Sequence, residues 1–331
     1  MRRLTVTLAL VLVAGAWPAV PAVAHAHAAV QATTAGSVQA DFNHDGADDL
    51  AVGIPDENVG TVIGAGGVNV LYGAAGGVTG SGSQFFTQVG SAAEPGDFFG
   101  AALAAGDFNH DGFADLAVGA PFEDAGSVID AGAVSVLYGS AGGLTTTGGQ
   151  IFTQVGSAPE PGDFFGDALT AGDFNHDGFA DLAVGAPGEG VFSTPRAGAV
   201  SVLYGSAGGL TRTGGQIFTQ VGSAPEAGDG FGWSLTVGDF NHDGFADLAV
   251  GAPFEDVFST VNAGAVSVLY GSASRLTTTG GQIFTQNTPG VPGSAGPGDF
   301  FGYALAAGDP GLSTAAAPSA GSGGQRTVPS R

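Results

Sequence analysis

The string Asp-Phe-Asn-His-Asp-Gly begins at Asp41, Asp107, Asp173 and Asp239, so the chain repeats itself every 66 residues. A fixed period is the tightest constraint here. Each unit has to be one supersecondary element stacked on copies of itself. The second and third copies, 90–155 and 156–221, differ at about 11 positions. The first copy is the most degenerate, with Thr33-Thr34 where the others carry Phe-Gly. A fifth copy starts at Phe301-Gly302 and stops after Gly308-Asp309, where Pro310 stands in place of the expected Phe.

Each copy holds four short candidate strands. In the second they are read at 99–106, 115–119, 132–138 and 150–155, rich in Val, Phe, Leu and Ala and bounded by Gly, Pro and Asp. Val134, Val136 and Tyr138 alternate with Ala133, Ser135 and Leu137, the period of a strand. No helical periodicity with caps is present. Four antiparallel strands at fixed period is the plan of a β-propeller blade. The 61 glycines among 331 residues suit tight turns and close packing near an axis. A β-solenoid is the alternative, but its repeats are shorter, ~20–30 residues. The expected fold is therefore all-β: a β-propeller of four-stranded antiparallel blades at about 33–89, 90–155, 156–221 and 222–287, with a fragment of a fifth at 288–309. The break at Pro310 favours an incomplete ring over a closed one. Open strand edges would then leave the chain prone to self-association.

The spacing D-x-N-x-D-G-x-x-D carries the chemistry. Three carboxylates and one amide oxygen alternate along nine residues, so a curled loop can turn them to one centre, with the glycine making the sharp turn. The seventh residue adds a backbone carbonyl. Hard, charged oxygen ligands without Cys suit Ca²⁺ better than Mg²⁺, which demands tighter octahedral geometry. The four expected sets are Asp41, Asn43, Asp45, Ala47 and Asp49; Asp107, Asn109, Asp111, Phe113 and Asp115; Asp173, Asn175, Asp177, Phe179 and Asp181; and Asp239, Asn241, Asp243, Phe245 and Asp247. They call for about four ions. The loop is no EF-hand, since position twelve is Val118 and the flanks are strands. A metal-free Asx turn is the plainer reading, but three carboxylates in nine residues repel without a cation. His44, His110, His176 and His242 at the fourth position are read as solvated, and Asp97, Asp163, Asp229 and Asp299 as turn residues or caps.

Charge narrows the partners. There are 30 Asp plus Glu against 7 Arg and no Lys, a net charge of −23. Such a polyanion is repelled by nucleic acid and by anionic membranes. Arg2-Arg3, the apolar run 4–14 and the small-residue sites near Ala24 and Ala28 read as a secretory signal peptide over 1–28. No other stretch approaches a membrane span. Residues 310–331, rich in Ser, Ala, Gly and Pro, read as a disordered tail. A secreted protein is expected.

The pairs Phe99-Gly100 with Gly119-Ala120-Pro121, Phe165-Gly166 with Gly185-Ala186-Pro187, and Phe231-Gly232 with Gly251-Ala252-Pro253 flank the acidic loops. In this the chain resembles the FG-GAP repeat of the integrin α-subunit propeller, over about 33–309. The resemblance implies Ca²⁺ in the loops between first and second strands, and adhesion or ligand binding on the opposite face. There, the connection between second and third strands varies most: 122–130 against 188–196 and 254–262. A constant scaffold with variable loops is how binding proteins are built. An extracellular protein or glycan is the expected ligand. A repeat lectin using Phe122 and Phe254 is one alternative. An accessory propeller of an extracellular hydrolase is another, since FG-GAP repeats also accompany a glycosylphosphatidylinositol-specific phospholipase. No unique nucleophile and base stand apart from the repeat, so no enzyme activity is expected.

Overall fold

A computed structural model describes residues 40–308. The expected signal peptide at 1–28, the start of the first repeat before Ala40 and the tail at 310–331 lie outside the described residues. Within them the chain is all-β, with no helix. The strands are β1 (Leu50–Ile54), β2 (Gly67–Leu71) and β3 (Gln84–Phe86); β4 (Ala102–Gly106), β5 (Asp115–Ala120), β6 (Ala133–Tyr138) and β7 (Thr145–Phe152); β8 (Ala168–Gly172), β9 (Asp181–Ala186), β10 (Ala199–Tyr204) and β11 (Thr211–Phe218); and β12 (Ser234–Gly238), β13 (Asp247–Ala252), β14 (Ala265–Tyr270) and β15 (Thr277–Phe284). They form one three-stranded and three four-stranded antiparallel meanders, each following chain order. These are propeller blades.

The second to fourth blades bury their first two strands completely. Strands covered on both faces need no polar alternation, which is why Asp-Leu-Ala-Val-Gly-Ala reads as one continuous run. The core lies between blades. Val68, Val70 and Phe99 meet Leu103, Leu116 and Val118. Val134, Val136 and Phe165 meet Leu169, Leu182 and Val184. Val200, Val202 and Phe231 meet Leu235, Leu248 and Val250.

The repeated glycines are the ratchet between blades. The Gly100 N–H donates to the carbonyl of Gly119 in its own blade at 2.9 Å, and Gly166 and Gly232 do the same to Gly185 and Gly251. Each carbonyl of that series then fills the space where a side chain would begin on the preceding blade. A Cβ on Gly53, Gly119 or Gly185 would lie 2.0, 2.0 or 2.1 Å from the oxygen of Gly100, Gly166 or Gly232. A second device is a clasp. The Tyr138 hydroxyl donates to Gln150 Oε1, and Gln150 Nε2 donates to the Leu210 carbonyl of the next blade at 3.1 Å. The pairs Tyr72–Gln84 on Leu144 and Tyr204–Gln216 on Leu276 repeat it.

Among the described residues the ring is not closed. Blades contact one another in sequence, β1 on β4, β4 on β8, β8 on β12. At the far end Tyr270 still donates to Gln282 at 2.8 Å, but that pair is exposed. The described part of the fifth-copy fragment forms no strand. It packs Phe301 and Leu305 on Ala249, Val266 and Val268, and sets the Gly302 carbonyl against Gly251. The Ser234 hydroxyl donates to that carbonyl at 2.6 Å.

Candidate metal centre

Three of the four acidic loops join the first and second strands of their blades, the loop from Asp41 leads into β1, and all four lie at one end of the blades. Antiparallel pairing puts 121–132, 187–198 and 253–264 at the other end. Each loop curls around its own side chains. In the second, the Asp111 N–H donates to Asp107 Oδ1 at 3.1 Å and to Asn109 Oδ1 at 3.0 Å. The Gly112 N–H donates to Asp107 Oδ2 at 3.0 Å, and the Phe113 N–H to Asp111 Oδ1 at 3.0 Å. The same bonds recur from Asp41, Asn43 and Asp45, from Asp173, Asn175 and Asp177, and from Asp239, Asn241 and Asp243. Gly112, at φ +91°, has the left-handed turn that glycine adopts freely. Ala47, Phe113, Phe179 and Phe245 follow it and close the curl.

The ninth residue behaves differently. Asp115 is fully buried and accepts two backbone N–H groups, from Phe108 at 2.9 Å and from Gly139 at 2.9 Å. Asp49 holds Phe42 and Gly73 in this way, Asp181 holds Phe174 and Gly205, and Asp247 holds Phe240 and Gly271. This carboxylate ties the loop to the third strand of its blade, a role that ligand spacing alone does not show. Burial pushes the carboxyls of Asp115 and Asp181 up to about 8; the two backbone donors oppose the rise and the neighbouring loop aspartates add to it. Asp49 and Asp247 are raised for the same reasons. Among the described residues no three acidic or histidine side chains close into a finished metal cage. The oxygen-only donor set of each loop is nonetheless of the kind that hard cations take.

The loops also touch one another. The Ala114, Ala180 and Ala246 N–H groups donate to the carbonyls of Asp41, Asp107 and Asp173 in the preceding loop, at 3.2, 3.0 and 3.2 Å. The histidines are not merely solvated. His44, His110 and His176 are exposed, yet each lies against the Phe of the next loop, with ring centroids 5.6, 5.5 and 5.7 Å apart on Phe113, Phe179 and Phe245. On the opposite end, Phe122 and Phe254 do not form a free aromatic face. Phe122 packs between Phe98 and Phe164, and Phe254 between Trp233 and Phe300. The most exposed aromatics among the described residues are Phe192 and Phe258, at the tips of the variable connections and at φ +57° and +58°.

A β-blade with this glycine ratchet and acidic loop defines a class. The FG-GAP repeat family matches residues 99–137, 165–203 and 231–269. The chain thus carries three FG-GAP repeats, similar to those of integrin α chains. It is 35% identical over 181 residues to the phosphatidylinositol-glycan-specific phospholipase D of Bos taurus, covering 52% of this chain and 21% of that one. It is 38% identical over 162 residues to integrin alpha-PS5 of Drosophila melanogaster, covering 48% and 15%. It is 34% identical over 166 residues to integrin alpha-3 of Cricetulus griseus, covering 50% and 15%. The matches thus span about a fifth or less of the relatives' length. The relatives include a phospholipase and integrins alike, and no helix among the described residues is long and apolar enough to cross a membrane.

Proposed function

We propose that the chain is a secreted, calcium-binding FG-GAP propeller arc that recognises an extracellular protein or glycan, without enzyme activity of its own. Asp107, Asn109 and Asp111, the Phe113 carbonyl and Asp115, with their equivalents in the other loops, would hold the ion. Bound Ca²⁺ supplies positive charge where three carboxylates meet, and it favours the ionised form of the buried ninth aspartate. The observation that carries this reading is the division of the blades: four near-invariant acidic loops at one end, and connections of variable sequence tipped by exposed Phe192 and Phe258 at the other. A non-glycine residue at positive φ is strained. The corresponding tips of the first and second blades carry Gly60 and Gly126, so the phenylalanines are not what the turn itself favours.

Melting with Ca²⁺ and with EDTA tests the metal. Binding to the native state alone adds ~2.7 kcal/mol per site at a hundredfold excess over Kd. Equal melting temperatures would refute calcium binding. Protein and glycan arrays probed with and without Ca²⁺ test recognition. An accessory role beside a hydrolase domain is the second reading, favoured by the match to the phospholipase D. It predicts that the isolated chain binds nothing on either array but associates with a hydrolase domain.

A further inference from the structure

Where the chain passes from the second blade to the third, four polar side chains are shut away from water. Asp163 is 1% exposed, Glu189 5% and Gln154 4%, and the Ser157 hydroxyl is also buried. The two carboxyls are close enough to share a hydrogen bond, and Glu160 adds further negative charge. Gln154 Nε2 donates to Glu189 Oε2, which places the amide head inside the cluster. Its Oε1 has no partner, and the Ser157 hydroxyl lies within hydrogen-bonding reach of Glu189. One Asp163 oxygen accepts the Glu160 N–H at 2.6 Å. The nearby Arg212 donates to the Gln154 carbonyl and the Thr153 hydroxyl, outside the carboxyl pair.

The arrangement recurs twice. Before it come Gln88, Ser91, Asp97 and Glu123, with both Gln88 amide atoms and Ser91 Oγ unpartnered and Glu123 close enough to share a hydrogen bond with Asp97. After it come Gln220, Ser223, Asp229 and Glu255, where Gln220, Ser223 and Asp229 all lie within hydrogen-bonding reach of Glu255. Buried polar groups without partners are rare and costly. Three copies of one such cluster are not an accident of packing.

One shared proton could relieve a pair of carboxyls, but it satisfies only those two oxygens. The Ser hydroxyl can itself donate to a carboxylate, but the Gln154 Oε1 and its Gln88 counterpart would still be acceptors without a donor. A cation uses every oxygen at once. We propose that each of these three blade junctions holds a hard cation of the Ca²⁺ class, between the Asp and Glu carboxylates and completed by the Gln and Ser oxygens. The sites lie at the end opposite the acidic loops, among the variable connections. They would pin each incoming blade to the one before it, beside the surface assigned to recognition.

The test counts ions on the full chain, freed of metal and dialysed against Ca²⁺. Glu189→Gln removes one charge and keeps the shape, so it should lose one equivalent of Ca²⁺ relative to the parent. Asp177→Ala should lose a different one, and the double variant two. An unchanged count in Glu189→Gln, with a melting temperature that rises equally in Ca²⁺ and EDTA, would show a proton-sharing pair and overturn the proposal. Should Glu189→Gln not fold, Gln154→Met deletes the amide oxygen without charge change. It should weaken one site at least tenfold, and unchanged binding would again overturn the junction site. The two sets of sites fail separately: a chain that loses Ca²⁺ in Glu189→Gln but not in Asp177→Ala keeps the junctions and loses the loops.

Discussion

Gly185→Ala is the sharpest test of how the blades interlock. Gly185 does not have a left-handed φ, so alanine suits its backbone; only space forbids it. The added Cβ would stand 2.1 Å from the Gly232 carbonyl oxygen, against an ordinary contact of 3.4 Å or more. The third and fourth blades would have to part by roughly 1.3 Å, in a region otherwise filled by Val200, Phe231 and Leu235. Gly232 cannot retreat freely, since its N–H is bound to Gly251 at 3.1 Å and its φ is +94°. Overpacking costs about 1–3 kcal/mol. Loss of the Gly232 bond adds about 1 kcal/mol. The sum, about 2–4 kcal/mol, is a large share of an ordinary domain's stability of ~5–15 kcal/mol. Urea titration followed by near-ultraviolet circular dichroism should show a lower midpoint with little change in slope. Gly148→Ala is the control: its φ is +76° and no atom lies within 4 Å, so it suffers backbone strain alone, about 1–2 kcal/mol. If Gly185→Ala costs no more than this control, the carbonyl-in-glycine ratchet is refuted.

Further outcomes follow from the same structure. Removing 296–331 should leave the arc open but loosen the fourth blade, seen as faster amide exchange in β12 and β13, because Gly251 and Val266 lose Gly302 and Phe301; unchanged exchange would mean the fragment is idle. Tyr204→Phe should cost about 1–3 kcal/mol, measured by thermal melting, since the buried Leu276 N–H loses its acceptor. Burial alone pushes the Asp167 carboxyl up to about 7, against 3.8 unperturbed. The folded state therefore holds more protons than the unfolded one between those values, and this group's penalty grows as pH rises from about 4 to 7. Asp167→Ala, the residue found at position 101 in the preceding copy, should stabilise by about 1–3 kcal/mol at pH 8 and by little at pH 4. Exchanging 254–262 for the sequence of 188–196 should alter ligand binding and leave calcium-dependent melting in place.

The period, the all-β class and the end at which the acidic loops sit could be read from residues because they depend on local spacing. The third strand of the second copy was legible because Val134, Val136 and Tyr138 alternate. The fourth was not: it runs over Thr145–Phe152 rather than 150–155, since Thr-Thr-Thr-Gly-Gly has turn composition and pairs with β6 only across a bulge between Val136 and Tyr138. The first strand starts at Ala102, later than the apolar run suggests, because Phe99 and Gly100 are spent on the preceding blade. Asp97 does cap a turn, donated to by the Glu94 N–H at 2.6 Å, but its other neighbour, Glu123, is distant in sequence. No spacing rule brings those two together. Phe192 and Phe258 were hidden for the opposite reason, since a phenylalanine in a loop gives no sign of whether it packs.

The Tyr–Gln clasp makes the arc directional. Every clasp reaches forward, from the hydroxyl and amide of one blade to the backbone of the next. The two ends of the described arc are therefore unlike: one is all socket, and the other, where half-buried Tyr270 holds Gln282 with no further blade to reach, is all hook. Two chains meeting hook to hook would have no strand backbone of the partner to grip, only each other's side chains. Addition through the clasp has to run head to tail and in one polarity, and it would stop only where a blade without the Tyr and Gln brings the series to a close.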